Sequence, residues 1–183
     1  MAFQQFSILS NSEQSSKEQL KIISDSKDAD LLKRINEFRH TKSAEVVKAL
    51  LTRWSHSNDE QLNEALFALF RDLKDQEDLI SILKAIENEG NLDKKNQLIS
   101  ILWLSQLDAS EYLLDLVNLA LNGDFMTVVE VSTVIESFDI EFSEDEVMEC
   151  MYQIDEKLMD VNDEDFSSML INMKDVINLL NVS

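Results

Sequence analysis

Three consecutive segments carry one pattern: SAEVVKALLTRWSHSNDEQLNEALFALFRDLKD (43–75), QEDLISILKAIENEGNLDKKNQLISILWLSQLD (76–108) and ASEYLLDLVNLALNGDFMTVVEVSTVIESFDIEF (109–142). Their first residues are 33 positions apart, a spacing typical of repeated helical hairpins. Each segment has an apolar stretch at helical spacing, then a polar break, then a second apolar stretch. The pattern therefore predicts two short antiparallel helices in each segment.

Equivalent positions in the three segments predict the core of the fold. The first helices contribute Val46, Val47, Leu50, Leu79, Ile80, Leu83, Tyr112, Leu113 and Leu116, and the second helices contribute Leu66, Leu69, Ile99, Leu102, Ser132 and Ile135. One helix pair is too small to bury its own apolar side. Neighbouring pairs must therefore stack and share a continuous core.

Composition favours an almost entirely helical protein. The chain has 183 residues, 44% of them hydrophobic, with no proline and only two glycines, Gly90 and Gly123. Sheets and tight turns depend on those two residue types, so their scarcity argues against a β-rich fold. Gly123 follows the first apolar stretch of its segment, and we expect it in the left-handed conformation that ends many helices.

We predict an N-terminal tail at 1–11, helical repeats over 12–142 and a C-terminal helix pair at 143–183, which is a cap or a diverged repeat. The expected fold is an all-α, right-handed α–α superhelix of about five antiparallel helix pairs. Polar residues that can accept hydrogen bonds from a first helical turn mark the helix starts. The candidates are Ser12 or Ser16, Asp28 or Asp30, Ser43, Asn58, Asp75, Asp108 or Ser110, Ser143 with Glu146, and Asn162 or Asp163.

The net charge of −20 is concentrated towards the C-terminus. Residues 1–57 carry +2, residues 58–108 carry −6, and residues 109–183 carry −16. Such a surface repels nucleic acid and anionic lipid, so neither is an expected partner. The charge serves either solubility or the attraction of a basic protein partner.

Cysteine content and hydropathy point to the cytoplasm. The single cysteine, Cys150, excludes an internal disulfide framework, and its apolar neighbours predict a buried, inert thiol. The N-terminal MAFQQFSILS lacks a basic segment and a long apolar segment, so we expect no secretory signal. The longest apolar-rich run, 98–107, is too short to span a bilayer.

The hairpins at this spacing resemble HEAT-like repeats of the armadillo-type α-superhelix over about residues 28–142. The resemblance implies a curved scaffold whose second helices line a concave, partner-binding face, and it implies no catalytic residues. The first helices lack the proline common in such families, and no Asp and Arg ladder is evident. A different right-handed α–α array is therefore the alternative.

A second resemblance lies at 142–170, where FSEDEVMECMYQID and VNDEDFSSML are similar to the flanking helices of a calmodulin-family EF-hand. The loop between them departs from that family, because Lys157 and Met159 occupy early ligand positions and the bend has no glycine. The acidic segment 155–165 is either a solvated turn or a weak calcium site. The second reading gives our alternative function, a weak Ca²⁺-responsive binding protein.

No arrangement of residues predicts an enzyme or a cofactor site. Glu37 and His40 have the spacing of a carboxylate–histidine metal motif, but a second copy is missing because Arg53 stands three positions before His56. Both histidines are therefore expected at the surface or at helix ends. Nucleotide-binding glycine motifs and serine-nucleophile motifs are absent from the sequence.

The expected function is a non-catalytic protein–protein interaction or scaffold module whose partner binds the second helices. Phe70 and Trp103 are 33 positions apart, so the repeat puts them at equivalent sites on successive hairpins. Either they bind a partner or they fill the seam between repeats, as we expect for Trp54. The candidate binding residues are Asn63, Phe67, Phe70, Arg71, Asn96, Ser100, Trp103 and Leu104.

Overall fold

The computed structural model describes the backbone of residues 2–39, 41 and 43–182 and the side chains of residues 14–39, 41 and 43–182. Within this part the protein is all-α apart from two short strands. The helices are α1 (Ala2–Asp25), α2 (Asp28–Arg34), α3 (Ala44–His56), α4 (Glu60–Arg71), α5 (Leu79–Asn88), α6 (Leu92–Leu104), α7 (Leu113–Leu121), α8 (Phe125–Glu136), α9 (Glu144–Asp160) and α10 (Glu164–Asn178).

Each of the three segments forms two α-helices: α3 and α4, α5 and α6, and α7 and α8. Three second helices begin at caps in the predicted breaks. The side chains of Asp59, Asn91 and Asp124 each accept a hydrogen bond from a backbone N–H of the first turn, at 3.0, 3.0 and 2.8 Å. Short 3₁₀ turns, Gln76–Asp78 and Ser110–Tyr112, precede α5 and α7. Side-chain caps thus fix the local boundaries that the polar breaks predict.

The chain divides into two compact units, Met1–Asn88 and Glu89–Ser183, and the boundary falls in the turn of the second segment. In the first unit α3 packs against α1, α4 and α5, while α2 packs against α4. In the second unit α8 packs against α6, α7 and α10, while α9 packs against α7 and α10. Within each unit, alternate helices are therefore neighbours. The boundary itself was not predicted.

The predicted core columns are mostly buried. Val46, Val47, Leu66, Ile99 and Ile135 are inaccessible to solvent, and Trp54 is buried as expected. Three members of the first-helix columns depart from the pattern, because Leu83 and Tyr112 are half-buried and Ile80 is exposed. The helical period thus identifies the core face, while the burial of residues at its edges depends on the neighbouring helices.

The N-terminal prediction needs correction. Residues 2–11, predicted as part of a tail, are helical, and Ser12 and Ser16 lie inside α1 instead of capping a helix. Residues 2–25 contain neither glycine nor proline, so no strong helix breaker interrupts α1. His40 lies outside the described residues.

Asp28 and Asp30 do not cap α2, whose N-cap residue is Lys27 without a side-chain bond. The Asp28 carboxylate instead accepts from the Ser57 hydroxyl at 2.8 Å and from Arg53 Nη2 at 2.6 Å. The hydrogen bond from Ser57, with the Arg53 guanidinium, lowers the pKa of Asp28. Because its carboxylate bonds to Ser57 and Arg53, Asp28 does not cap α2. These bonds connect the start of α2 to the end of α3 and the turn that follows it.

Gly123 is not left-handed, since no described residue has a positive φ. Its role is steric. A Cβ at this position would lie 2.4 Å from Cβ of Thr127, which is buried. Gly123 is therefore required by the close approach of the Thr127 side chain.

The C-terminal pair consists of α9 and α10, as predicted, and both begin at predicted caps. Ser143 and Glu146 form a capping box, and Asp163 accepts from the backbone N–H of Phe166 at 2.8 Å. Two short parallel strands, β1 (Glu141–Phe142) and β2 (Asn181–Val182), were not predicted. Glu141 pairs with Asn181 and Phe142 with Val182, so the end of α10 is joined to the start of α9.

Candidate functional site

Trp103, on α6 in the second unit, is the predicted aromatic that reaches the surface. It is 38% exposed, and its indole Nε1–H donates a hydrogen bond of 2.9 Å to Glu130 Oε2 on α8. Leu104 beside it is half-buried. An aromatic ring held by a carboxylate combines an apolar surface with negative charge, and both can contact a basic partner.

The predicted residues of α4 belong to the first unit and differ in exposure. Phe70 is fully buried, so it fills the core and leaves no ring surface for a partner. Phe67 is half-buried, while Arg71 in the last turn is exposed. Phe70 and Trp103, which the 33-residue spacing predicts to be equivalent, therefore have different environments.

Three of the predicted polar residues are engaged in the fold itself. Asn63 Nδ2 donates to the Ser57 carbonyl at 3.0 Å, and Ser100 Oγ donates to the Gln97 carbonyl at 2.7 Å. Asn96 is buried and bonds to the start of α8. Among the described residues, Asn63 Oδ1 is the one buried side-chain polar atom without a hydrogen-bond partner. Asn63 and Asn96 thus stabilise a turn and the start of a helix, while the Ser100 bond lies within α6.

Asn96 belongs to a network with Asp124 and Thr127 at the N-terminus of α8. Asn96 Nδ2 donates to Asp124 Oδ1 at 3.2 Å, and the Thr127 hydroxyl lies 2.8 Å from both Asn96 Oδ1 and Asp124 Oδ1. Burial alone would raise the pKa of Asp124, but the hydrogen bonds from Thr127 and Asn96 lower it. The network therefore holds a carboxylate ion and locks α6 to α8.

The outer face of α9 carries exposed apolar side chains that the sequence analysis did not select. Met148 is 66% exposed, Tyr152 58% and Met159 84%. Their spacing, i, i+4 and i+11, puts them on one side of the helix. The opposite side carries Val147, Cys150 and Ile154, which are buried in the second unit. We call Met148, Tyr152 and Met159 the α9 stripe.

Carboxylates follow one side of the α9 stripe. Asp145, Glu149, Glu156 and Asp160 are all exposed and lie on the adjacent part of the helix surface. The Tyr152 hydroxyl donates a 2.7 Å hydrogen bond to Glu156, and this bond raises the pKa of the tyrosine. The stripe and its acidic border therefore form one connected surface.

An open groove of about 710 Å³ runs between α7 and α9 on the acidic side of the stripe. Its apolar lining includes Leu114, Leu121 and Met159, and its acidic lining comprises Asp115, Glu156 and Asp160. One cation, Lys157, also lines it. The groove is therefore apolar in part and net negative.

The second unit contains most of the negative charge of the protein. Residues 89–183 carry four Lys and Arg against 21 Asp and Glu, a net charge of −17, while residues 1–88 carry twelve against 15, a net charge of −3. Helix α9 alone has seven Asp and Glu and one Lys. A cationic ligand therefore meets its most favourable potential on the second unit.

The sequence contained a signal for the α9 stripe. Five of the seven methionines fall in 148–173, and such a cluster serves either as core filling or as an adaptable groove for a partner helix. On α9, the helical phase relative to the buried Cys150 and Ile154 puts Met148 and Met159 at the surface, whereas Met173 is buried on α10. Which side of α9 faces the core becomes clear only when the helices that pack against α9 are known.

The segment predicted as an alternative calcium site is mostly helical. Residues 155–160 form the end of α9, Asp155 pairs with Lys174 at 2.5 Å, and Asp163 caps α10. Among the described residues, the structure brings no three His, Cys, Asp or Glu side chains together for a metal ion. A helix cannot wrap around a cation as a calcium loop does, so this segment supports no calcium proposal.

Cys150 and His56 both lie in the surroundings that the sequence predicts. Cys150 is a free, buried thiol, as predicted, and burial, with the nearby Glu146 and Glu149, raises its pKa to about 12. His56 is the exposed last residue of α3, also as predicted, and its Nδ1 hydrogen-bonds to the Thr52 carbonyl at 2.8 Å. A thiol at neutral pH in the core is a poor nucleophile.

In the described part of the chain, every helix is too short or too polar to cross a bilayer. The apolar-rich run 98–107 lies in α6 and the turn that follows it, and most of its side chains pack inside the second unit.

Comparison with known proteins identifies no relative. The chain matches no family model, no curated protein and no solved structure at a significant level.

Proposed function

We propose that this protein is a non-catalytic interaction module that binds a basic protein partner. The observation that carries the proposal is the unequal charge of the two units, −17 for residues 89–183 against −3 for residues 1–88. Solubility alone would be served by charge spread over the whole chain. Charge concentrated on one unit creates a field that attracts and orients a cationic partner.

The architecture supports a binding role. Helix pairs that recur at 33 residues, with alternate helices packed together inside each unit, are what a HEAT-like superhelix requires. We propose that the pairs continue this arrangement as a right-handed superhelix. Such arrays present long surfaces to partners without needing a catalytic centre.

The negative charge of the surface favours a basic protein as ligand over anionic ligands such as nucleic acid and acidic lipid. Nucleic acid and anionic membranes carry negative charge and would be repelled by the second unit. A basic protein supplies Lys and Arg, whose association with carboxylates is fast because of long-range attraction. Trp103, with its carboxylate partner Glu130, offers an aromatic contact for such a cation.

The experiment is a pull-down with the full chain as bait, at 50 to 500 mM NaCl, followed by identification of the retained proteins. We expect basic proteins that are retained at low salt and released progressively as salt rises, because screening weakens attraction between exposed charges. Purified candidates are then titrated against the bait to measure Kd at each salt concentration. A Trp103→Ala bait tests the predicted second-helix face.

Two results would overturn the proposal. One is a set of specific partners that are acidic or neutral. The other is a basic partner whose Kd does not change between 50 and 500 mM NaCl, because electrostatic capture requires salt dependence. The control bait carries Glu13→Lys and Glu18→Lys in the first unit. Its net charge changes as much as that of a bait with two carboxylates of the second unit changed to Lys. Comparing the two baits separates the position of the charge from the total charge.

A further inference from the structure

We infer that the α9 stripe and its acidic border bind a basic amphipathic helix of the partner, a conclusion that rests on the proposed function and specifies its site. The stripe consists of Met148, Tyr152 and Met159, which are 66%, 58% and 84% exposed. Three large apolar side chains aligned on one helix differ from the single exposed apolar residues found on most protein surfaces.

The geometry of the stripe matches a helical ligand. Met148 and Met159 are eleven residues apart, which corresponds to about 16 Å along a helix. Three turns of a partner helix cover the same distance and present apolar residues at i, i+4 and i+7. The groove between α7 and α9, about 710 Å³ in volume, lies beside the stripe and provides room for the side chains of such a helix.

The charges around the stripe specify a basic ligand. Asp145, Glu149, Glu156 and Asp160 border the stripe on the side that faces the groove, and Asp115 lines the groove from α7. On the other side, Glu144 is exposed, and Asp155 is neutralised by Lys174 of α10 at 2.5 Å. A helix with Lys or Arg on one flank of its apolar face would therefore meet more carboxylates on the groove side of the stripe than on the other side, and this asymmetry sets its orientation.

The side chains of the stripe suit recognition of a helix by shape as well as charge. Methionine is flexible and polarisable, so it adapts to different apolar side chains. Tyr152 is fixed by its hydrogen bond to Glu156, so its ring offers a rigid contact at low entropic cost. This α9 surface lies on a first helix of its pair, whereas the resemblance to HEAT-like repeats implied binding on second helices.

The test uses an 18-residue peptide of leucine and lysine whose leucines lie on one helical face. Its Kd for the full chain is measured by fluorescence anisotropy at 100 mM NaCl. We expect the triple variant Met148→Ser, Tyr152→Ser and Met159→Ser to raise Kd about 10-fold or more, because interface anchors dominate binding. A peptide of the same composition with leucines on all faces should bind at least about 10-fold more weakly to the wild type.

The matched control removes three exposed apolar side chains from second helices: Leu92→Ser, Met126→Ser and Ile171→Ser. We expect its Kd to stay within about twofold of the wild type, because these side chains lie outside the α9 surface. Circular dichroism melting verifies that both triple variants fold. A separate pair, Glu149→Lys and Glu156→Lys, should weaken binding and flatten its salt dependence.

The outcomes separate this inference from the proposed function. If the control triple weakens peptide binding and the α9 triple does not, the inference fails, while capture of a basic partner stands. If a peptide with every lysine replaced by glutamate binds as tightly as the lysine peptide, attraction of positive charge is wrong for the inference and for the proposed function alike. If the wild type does not bind the lysine peptide, the inference is wrong, and the pull-down decides the proposed function.

Discussion

Gly123 shows that a single residue can be required for its lack of a side chain while its backbone is ordinary. A Cβ here would approach Thr127 Cβ to 2.4 Å, and Thr127 is buried and hydrogen-bonded to Asn96 and Asp124. We predict that Gly123→Ala lowers the free energy of unfolding by about 1–3 kcal/mol, because the buried network must move. Urea denaturation at pH 7 measures the change.

Gly90 provides the control for this prediction. A Cβ at Gly90 would have no atom within 4 Å, and its φ is not positive. Gly90→Ala should therefore be neutral or stabilise by up to about 1 kcal/mol, since it reduces the entropy of the unfolded chain. Equal losses at Gly90 and Gly123 would contradict the steric explanation.

Asp78 is the buried carboxyl group of the first unit, only 4% exposed. Burial, reinforced by the charges of Asp75 and Glu77, raises its pKa from 3.8 to about 6. Folding therefore favours the protonated form. The stability that this group contributes is fully present below about pH 4 and is lost as pH rises through about 6.

Asp78→Asn removes this titration while keeping the shape of the side chain. We predict that the variant matches the wild type at pH 4 and exceeds it by about 1–3 kcal/mol at pH 7.5, because the asparagine carries no charge to bury. Denaturation curves of both proteins between pH 4 and 7.5 measure the difference. A difference that stays constant over this range would show that Asp78 does not titrate as described.

At the scale of the element, α9 and α3 both have a serine as N-cap residue, but only the serine of α9 makes a side-chain capping bond. The Ser143 hydroxyl accepts from the Glu146 backbone N–H at 3.3 Å and donates to the Glu146 carboxylate at 2.7 Å. Ser43 occupies the N-cap position of α3 without a side-chain cap bond. We predict that Ser143→Ala lowers the free energy of unfolding by about 1 kcal/mol, measured by urea denaturation.

Ser43→Ala is the control for the capping prediction, and it should cost less than about 0.5 kcal/mol because no cap bond is lost. Hydrogen exchange adds a local measurement, since Ser143→Ala should accelerate exchange at the start of α9. If the two substitutions had equal effects, residue type alone, and not the capping geometry, would determine helix stability here.

At the scale of the whole molecule, charge should make one unit more sensitive to salt than the other. The −17 of residues 89–183 destabilises that unit by self-repulsion, whereas the −3 of residues 1–88 has little such effect. We predict that raising NaCl from 20 to 300 mM slows amide hydrogen exchange more in α8 to α10 than in α2 to α5. Mass spectrometry of peptides from each unit measures the rates of exchange.

Sucrose at equal osmolarity is the control, because it stabilises folded proteins by exclusion from the surface without screening charge. It should slow exchange in both units alike. An equal response of both units to salt would show that the charge does not limit the stability of the second unit.

The sequence by itself determined the helical class, the positions of the helix pairs and most core residues. These depend on local chemistry: the 3.6-residue period, the scarcity of glycine and proline, and caps such as Ser143 and Asp163. The burial of Cys150 and Trp54 follows from their apolar surroundings. Short-range preferences are encoded within a few residues, so a single sequence reveals them.

Only the tertiary structure decided which residues of those helices face solvent and which bonds the polar side chains make. Phe70 and Trp103 are 33 positions apart on α4 and α6, yet one is buried and the other exposed. The Asp28 carboxylate bonds to Ser57 and Arg53 instead of capping α2, and Met148 and Met159 point away from the core. These outcomes depend on partners distant in the chain, because burial and hydrogen bonding are set by which elements pack together.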